Sequence, residues 1–132
     1  MKHMLDTNTC IFVINGNPTV RTHFTREYSG GLAISAITEV ELWYGIENSV
    51  APERNSIVLH SFLLTVYTLP FDTLAAAEYG RVRAALKKAG TPIGGRDTLI
   101  AAHAKSLGMT LVTNNTKEFG RVNGLAIEDW TI

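Results

Sequence analysis

The chain carries one cysteine, Cys10, in 132 residues, so no internal disulfide can staple it. It contains no apolar run approaching the length of a bilayer span, which argues against a membrane protein. The N-terminus lacks the basic-then-apolar pattern of a secretory leader, and together with the lone thiol this points to a reducing cytoplasm. Prolines are few, and no repeat, linker or low-complexity tract interrupts the chain, so residues 1–132 are expected to form a single domain. Neither sign of charge is in excess: twelve Lys and Arg stand against twelve Asp and Glu, giving a formal charge of zero. That excludes the global basic field of a dedicated nucleic-acid binder, and any such contact must be local. The four histidines form no His-x-x-x-His pair and none joins Cys10 at zinc-ligand spacing, so a zinc site is not expected. Gly94-Gly95-Arg96 lacks the spacing of a P-loop or a dinucleotide fingerprint.

What the chain does have is a hydrophobic content of 45%, enough for a core without covalent or metal staples. Short apolar runs alternate with longer helical patterns, as in βαβ units around a parallel sheet. The expected strands are Met1–Asp6, Leu32–Ser35, Val66–Leu69, Met109–Val112 and Leu125–Ile127. Helices are expected over Thr9–Ile14, Pro18–Tyr28, from Thr38 past Ile46, Glu53–Leu64, Asp72–Ala89 and Arg96–Leu107, with a short turn at Thr116–Phe119. Pro18 suits a first helical turn, while Gly90 and Gly108 are suited to helix ends.

Four polar or acidic clusters fall near the ends of these elements: Asp6-Thr7-Asn8, Glu41, Asp97, and Thr113-Asn114-Asn115 through Glu118. Taken singly, each acid has an ordinary explanation. Asp6 and Asp97 lie where carboxylates accept free backbone N–H groups at helix starts, and Thr38-x-x-Glu41 fits a capping box. Glu39, two residues from Glu41, is expected to face solvent in the first helical turn. Taken together, the acids read differently, because helices that follow parallel strands begin at one edge of the sheet. Three or four carboxylates delivered to one cleft repel each other unless a cation neutralises them. For all-oxygen ligands the natural cation is hard and divalent, Mg²⁺ or Mn²⁺, and such a site suits phosphodiester hydrolysis. Thr7, Asn8, Thr113 and Asn115 can orient ligands, water or phosphate around it. Arg81, Arg83, Lys87 and Lys88, followed by Arg96 and later Lys105, are the one local cluster of positive charge that could contact phosphates.

In order and spacing, Met4-Leu5-Asp6-Thr7-Asn8, Glu41-Leu42-Trp43-Tyr44-Gly45, Asp97-Thr98-Leu99-Ile100-Ala101-Ala102-His103-Ala104 and Leu111-Val112-Thr113-Asn114-Asn115 with Glu118-Phe119 closely resemble the PIN-domain ribonucleases, and within them the VapC toxins of bacterial toxin-antitoxin pairs. The resemblance runs through the end of the chain at Leu125–Trp130. It implies a mainly parallel sheet of about five short strands flanked by helices on both sides, and a Mg²⁺- or Mn²⁺-dependent endoribonuclease. It implies Asp6, Glu41 and Asp97 as metal ligands and catalytic acids. Asn115 stands where the family often has a fourth acid, leaving Glu118 as the available carboxylate. Structured RNA, commonly a tRNA anticodon region with a lean to initiator tRNA, is the implied substrate. A homodimer and a hetero-oligomer with a neutralising VapB antitoxin are the implied assemblies. Two competing readings are a non-catalytic binding module whose acids merely cap helices, and a haloacid-dehalogenase-type phosphatase with Asp6 as nucleophile. The phosphatase wants a second Asp two positions on, where this chain has Asn8.

Overall fold

A computed structural model describes residues 1–132. Its strands are β1 (His3–Leu5), β2 (Leu32–Ser35), β3 (Tyr67–Leu69), β4 (Thr110–Val112) and β5 (Ile127–Glu128). Its helices are α1 (Thr7–Ile14), α2 (Pro18–Glu27), α3 (Ala36–Glu47), α4 (Pro52–Leu63), α5 (Thr73–Lys88), α6 (Gly95–Ser106) and α7 (Thr116–Phe119), and a short 3-10 turn covers Tyr28–Gly30. The strands form one sheet in the order β3-β2-β1-β4-β5, and every neighbouring pair is parallel.

β1 lies at the centre, with Met4 opposite Ala33 of β2 and Leu111 of β4. Both faces of this strand are covered, which is why it reads as a continuous apolar run without alternation. Successive side chains point to opposite faces, and they enter two separate cores. Met4, Ala33 and Leu111 pack with Val82, Leu86, Ile100, Ala101 and Phe119 beneath α5 and α6. Leu5, Leu32, Ile34 and Val112 pack with Cys10, Val20, Leu42, Leu59 and Trp130 beneath α1 to α4. Burial pushes the Cys10 thiol well up, with Asp6 adding to the shift, so the cysteine is a core residue and not a nucleophile.

The chain leaves β1 toward β2 and later returns to β4 on the opposite side of β1. The strand order therefore reverses beside β1, and the crevice outside the carboxyl ends of β1 and β4 is where open parallel sheets bind ligands. Asp6 follows β1 and Thr113 follows β4 at that crevice. No helix is long and apolar enough to cross a membrane.

Several expected boundaries move for identifiable reasons. α1 starts at Thr7, because Asp6 itself is the cap and accepts the Thr9 N–H at 2.9 Å. α3 starts at Ala36, capped by Ser35 through the Ile37 N–H at 3.1 Å, so the Thr38-x-x-Glu41 capping box does not form. α4 starts one residue early, with Pro52 at its first position, where a missing N–H costs nothing. Asp72 caps α5 by accepting the Ala75 N–H, and α6 starts one residue early, at Gly95. The last strand lies at Ile127–Glu128 and not at Leu125–Ile127. There the Glu128 carboxylate is tied to His3 at 3.3 Å and to the Trp130 indole N–H at 3.1 Å, contacts that fix the register of an otherwise weak strand.

Candidate metal-binding active site

Asp6, Thr7, Asn8, Glu41, Asp97, Asn115 and Phe119 line one cleft of about 220 Å³. Each acid arrives on a different element. Asp6 is fixed by its cap on α1 and by a backbone bond from its N–H to the Val112 carbonyl at 3.0 Å, so it can hardly turn. Asp97 is the third residue of α6, projecting into the cleft from that helix's first turn. Gly94 caps α6 with its backbone alone, and a Cβ there would make only an ordinary 3.6 Å contact with Asp97 Oδ2.

Glu41 stands in the second turn of α3. The Thr7 hydroxyl donates to Glu41 Oε1 at 2.6 Å and lies 3.5 Å from the Thr38 hydroxyl. Thr38 and Glu41, three apart on a helix, face the same way, which is what the apparent capping box reflects. Glu41 Oε2 lies 3.9 Å from Arg96 Nε, at the mouth of the cleft. Glu39 is the first-turn acid expected, but it is half-buried, with Oε2 accepting the Trp43 indole N–H at 2.9 Å.

The fourth cluster divides its labour. Asn115 lines the cleft, and its Nδ2 donates to Glu118 Oε2 at 2.9 Å, while its backbone N–H donates to the Thr113 hydroxyl. Glu118 stands behind Asn115, close enough to act electrostatically on Asp97. Asn8 is exposed at the rim and Thr113 is fully buried beneath Asp6. Phe119, which the sequence pattern placed only in a short turn, forms an apolar wall of the cleft.

The electrostatics match the geometry. Burial pushes the Asp97 carboxyl up to about 6, and the charges of Glu41, Asp6 and Glu118 push the same way against the weaker pull of Arg96. Asp6 is also raised, mainly by burial, although hydrogen bonds from Thr113 and Thr9 oppose the shift. Negative charge in this cleft is thus unwelcome unless something compensates it. No group of three or more His, Cys, Asp or Glu side chains forms a ready-made cage. The donor chemistry nonetheless fits a hard divalent ion, since Mg²⁺ keeps several waters and needs only one or two carboxylates.

Of the expected phosphate contacts, Arg96 comes nearest the acids, its exposed guanidinium 3.9 Å from Glu41 Oε2 beside the cleft. Arg81 instead pairs with Glu78 at 2.8 Å, and Arg83 turns to the Tyr79 hydroxyl at 3.0 Å. Lys87 and Lys88 are exposed at the end of α5, where cations complement the helix dipole. Behind the site lies a buried contact that no motif in the sequence announces. His103 Nδ1 lies 2.7 Å from Ser35 Oγ, fully buried, with Phe71 edge-on to the imidazole. This bond joins α6, which carries Asp97, to the cap of α3, which carries Glu41. Only an Ala-rich helix holding one histidine marked it.

A parallel sheet with this strand order and acids converging beside its central strand define a nuclease-like fold, and the chain belongs to the PIN-domain family, which it matches over residues 3–125. It is 49% identical over 131 residues to the tRNA(fMet)-specific endonuclease VapC of Salmonella typhimurium, covering 98% of each chain. To the tRNA(fMet)-specific endonuclease VapC of Shigella flexneri it is 47% identical, covering 99% of each. The crystal structure of DNA-bound VapBC from Salmonella typhimurium superposes with a TM-score of 0.94 at 49% identity, covering 98% of each chain. VapBC2 of Rickettsia felis, bound to a promoter DNA fragment, superposes at 0.93 with 37% identity, covering 98% of this chain and 99% of that one. Ribonucleases of the family are generally metal-dependent.

Proposed function

We propose that this protein is a VapC-type toxin, a Mg²⁺- or Mn²⁺-dependent endoribonuclease acting on structured RNA in the cytoplasm, with tRNA as the substrate class and initiator tRNA as the specific target. The observation that carries the mechanism is the Asp97 carboxyl, raised to about 6 within a cleft shared with Asp6 and Glu41. Full-length relatives named for cleavage of tRNA(fMet) support the substrate.

Asp6, Asp97 and Glu41 would hold the ion. When bound, it supplies a lowered pKa for coordinated water and a positive charge against the attacked phosphate. Asp6, immobilised by its own helix, is the fixed reference point of the site. The Thr7 hydroxyl occupies one oxygen of Glu41 and leaves Oε2 facing Arg96, so Glu41 presents one oxygen in a set direction. Asn115 holds Glu118 with one amide hydrogen, and Glu118 serves as the fourth, outer carboxylate of the catalytic set. Arg96 at the mouth offers a positive group to the phosphate backbone, and exposed Asn8 offers an amide at the rim. Lys87 and Lys88, exposed on α5, remain outer RNA contacts, with Arg83 beside them.

The same reading includes a VapB-type antitoxin as partner and a homodimer of the toxin. A largely apolar groove of about 530 Å³ between α1, α3 and α4, lined by Ile11, Ile14, Leu42, Ile46 and Leu59, runs up to Glu41 and supports docking of an antitoxin segment over the acids. Incubation of the purified protein with total tRNA, with Mg²⁺ or with EDTA, tests the reading. Cleavage in Mg²⁺ that stops in EDTA supports it, and metal-independent cleavage overturns it.

A further inference from the structure

We propose that the pocket between α5, the last turn of α6 and the loop after α7 is a second site, which binds a backbone phosphate of the RNA substrate away from the bond that is cut. The inference rests on the endoribonuclease reading above. The pocket, of about 250 Å³, shares no lining residue with the acidic cleft. Arg81, Lys105 and Arg121 converge on it, over a floor that includes the buried Val82, Leu86 and Val122.

Charge balance separates this pocket from an ordinary surface ion pair. Glu78 is the one carboxylate in its lining; it lies 2.8 Å from Arg81 Nη2 and 3.2 Å from Lys105 Nζ, which hold it below the usual carboxylate range. Arg121 bonds no carboxylate; its Nη1 donates to the Pro92 carbonyl at 3.1 Å. Three cations against one anion leave an excess of positive charge in a concavity of a chain whose formal net charge is zero. Glu78 thus aims two cationic heads without cancelling them. The backbone also makes room for Lys105: Gly124 has φ +81°, and a Cβ there would press to 3.2 Å from Lys105 Cε.

The position suits an elongated polyanion. The stretch from Asn115 to Asn123 lines the cleft at one end, through Asn115 and Phe119, and this pocket at the other, through Arg121 to Asn123. Arg121 also holds Pro92, in the loop that leads into α6 and Asp97. Guanidinium forks match phosphate oxygens bidentately, and contacts of this kind set the register of a nucleic acid without reading its sequence.

The experiment compares binding of bulk tRNA in EDTA, across about 50–200 mM salt, with steady-state cleavage in Mg²⁺, for wild type, Lys105→Gln, Arg121→Gln, Arg121→Lys and Glu78→Gln. Removing one phosphate contact should lower the salt slope by roughly 0.7–0.9 and weaken binding several-fold. Lys105→Gln should raise KM with little change in kcat, and Arg121→Lys should recover most of what Arg121→Gln loses. Glu78→Gln should tighten tRNA binding even though it breaks two ion pairs and lowers thermal stability, a sign that a purely structural cluster would not give. Unchanged affinity and slope in Lys105→Gln and Arg121→Gln, or weaker binding in Glu78→Gln, would overturn the site while leaving the nuclease reading intact. Saturable binding of inorganic phosphate that depends on Lys105 and does not compete with tRNA would reassign the pocket to a free anion and overturn the RNA site. A wild-type protein that neither binds nor cuts tRNA would remove both readings.

Discussion

The Thr7 hydroxyl donates a 2.6 Å hydrogen bond to Glu41 Oε1, and so ties the helix after the central strand to the helix that brings the second acid. Thr7 is half-buried, and the bond holds Glu41 Oε1 while Oε2 lies 3.9 Å from Arg96 Nε, so the carboxylate is kept in one orientation. Removing a group that orients a ligand typically costs about 10–100-fold in metal affinity or activity. Thr7→Val keeps the shape and loses the donor. Its kcat/KM on tRNA should fall within that range while circular dichroism stays that of wild type, and Thr7→Ser should restore most of the loss.

The acids of the cleft should work against folding when no metal is bound. A carboxyl whose folded pKa is raised binds its proton more tightly in the folded state than in the unfolded one. For Asp97, raised from 3.8 to about 6, the penalty is absent below pH 3.8, grows as pH rises through 6, and is complete above it. After discounting for partial solvent access, the penalty is about 1–2 kcal/mol. In EDTA, Asp97→Asn should therefore melt higher than wild type at pH 7.5 and lose that advantage near pH 4. Millimolar Mg²⁺ should raise the melting temperature of wild type, as any ligand of the native state does, and leave Asp97→Asn nearly unmoved.

Behind the cleft, Ser35 both caps α3 and meets His103 Nδ1 at 2.7 Å. Burial holds the His103 pKa below its ordinary value, so the imidazole is neutral at physiological pH. Ser35→Ala removes a cap and strands a buried ring nitrogen, which should destabilise the protein by about 1–3 kcal/mol. Denaturant titration measures this directly. A change below 0.5 kcal/mol would show that the bond does not hold α3 and α6 together.

The fold was readable because its strands are short apolar runs bounded by polar turns, and because Asp6 ends the first of them. The placing of Asp6 and Glu41 followed from one rule, that helices after parallel strands start at a common edge; Asp97 comes instead on α6, which follows α5 and precedes β4, and enters the cleft from that helix's first turn. What could not be read depends on side chains meeting across the sheet. Thr38 looked like a cap because its spacing to Glu41 is that of a capping box, yet the same spacing also places both on one helical face toward Thr7. Asn115 and Glu118 were alternatives in sequence; in space they are one hydrogen-bonded pair, with the amide in front. Arg81 belonged to a row of like charges, and in space it pairs with Glu78, three residues earlier, in a pocket separate from the cleft. The final strand shifted because Glu128, unremarkable in sequence, is held by His3 and Trp130.

That last contact is testable as well. The Glu128 carboxyl is held below its ordinary value by the Trp130 and His3 hydrogen bonds, against the opposing effect of burial. A depressed carboxyl pKa gives stability that is present above the unfolded value and is lost as pH falls through the folded one. Glu128→Gln should therefore lower the melting temperature at pH 7 and converge with wild type in acid below the carboxylate range. Equal melting curves at neutral pH would show that the C-terminal segment does not depend on this acid.

Asp6, Glu41 and Asp97 are together proposed to hold the divalent ion needed for RNA cleavage. The most direct measurement is calorimetric titration of Mg²⁺ into wild type, Asp6→Asn and Asp97→Asn, with the same samples assayed on total tRNA. Wild type should bind the ion saturably and cleave, and each variant should lose both. Cleavage by Asp6→Asn or Asp97→Asn at the wild-type rate, or wild-type cleavage with no detectable metal binding, would contradict this role of the three acids.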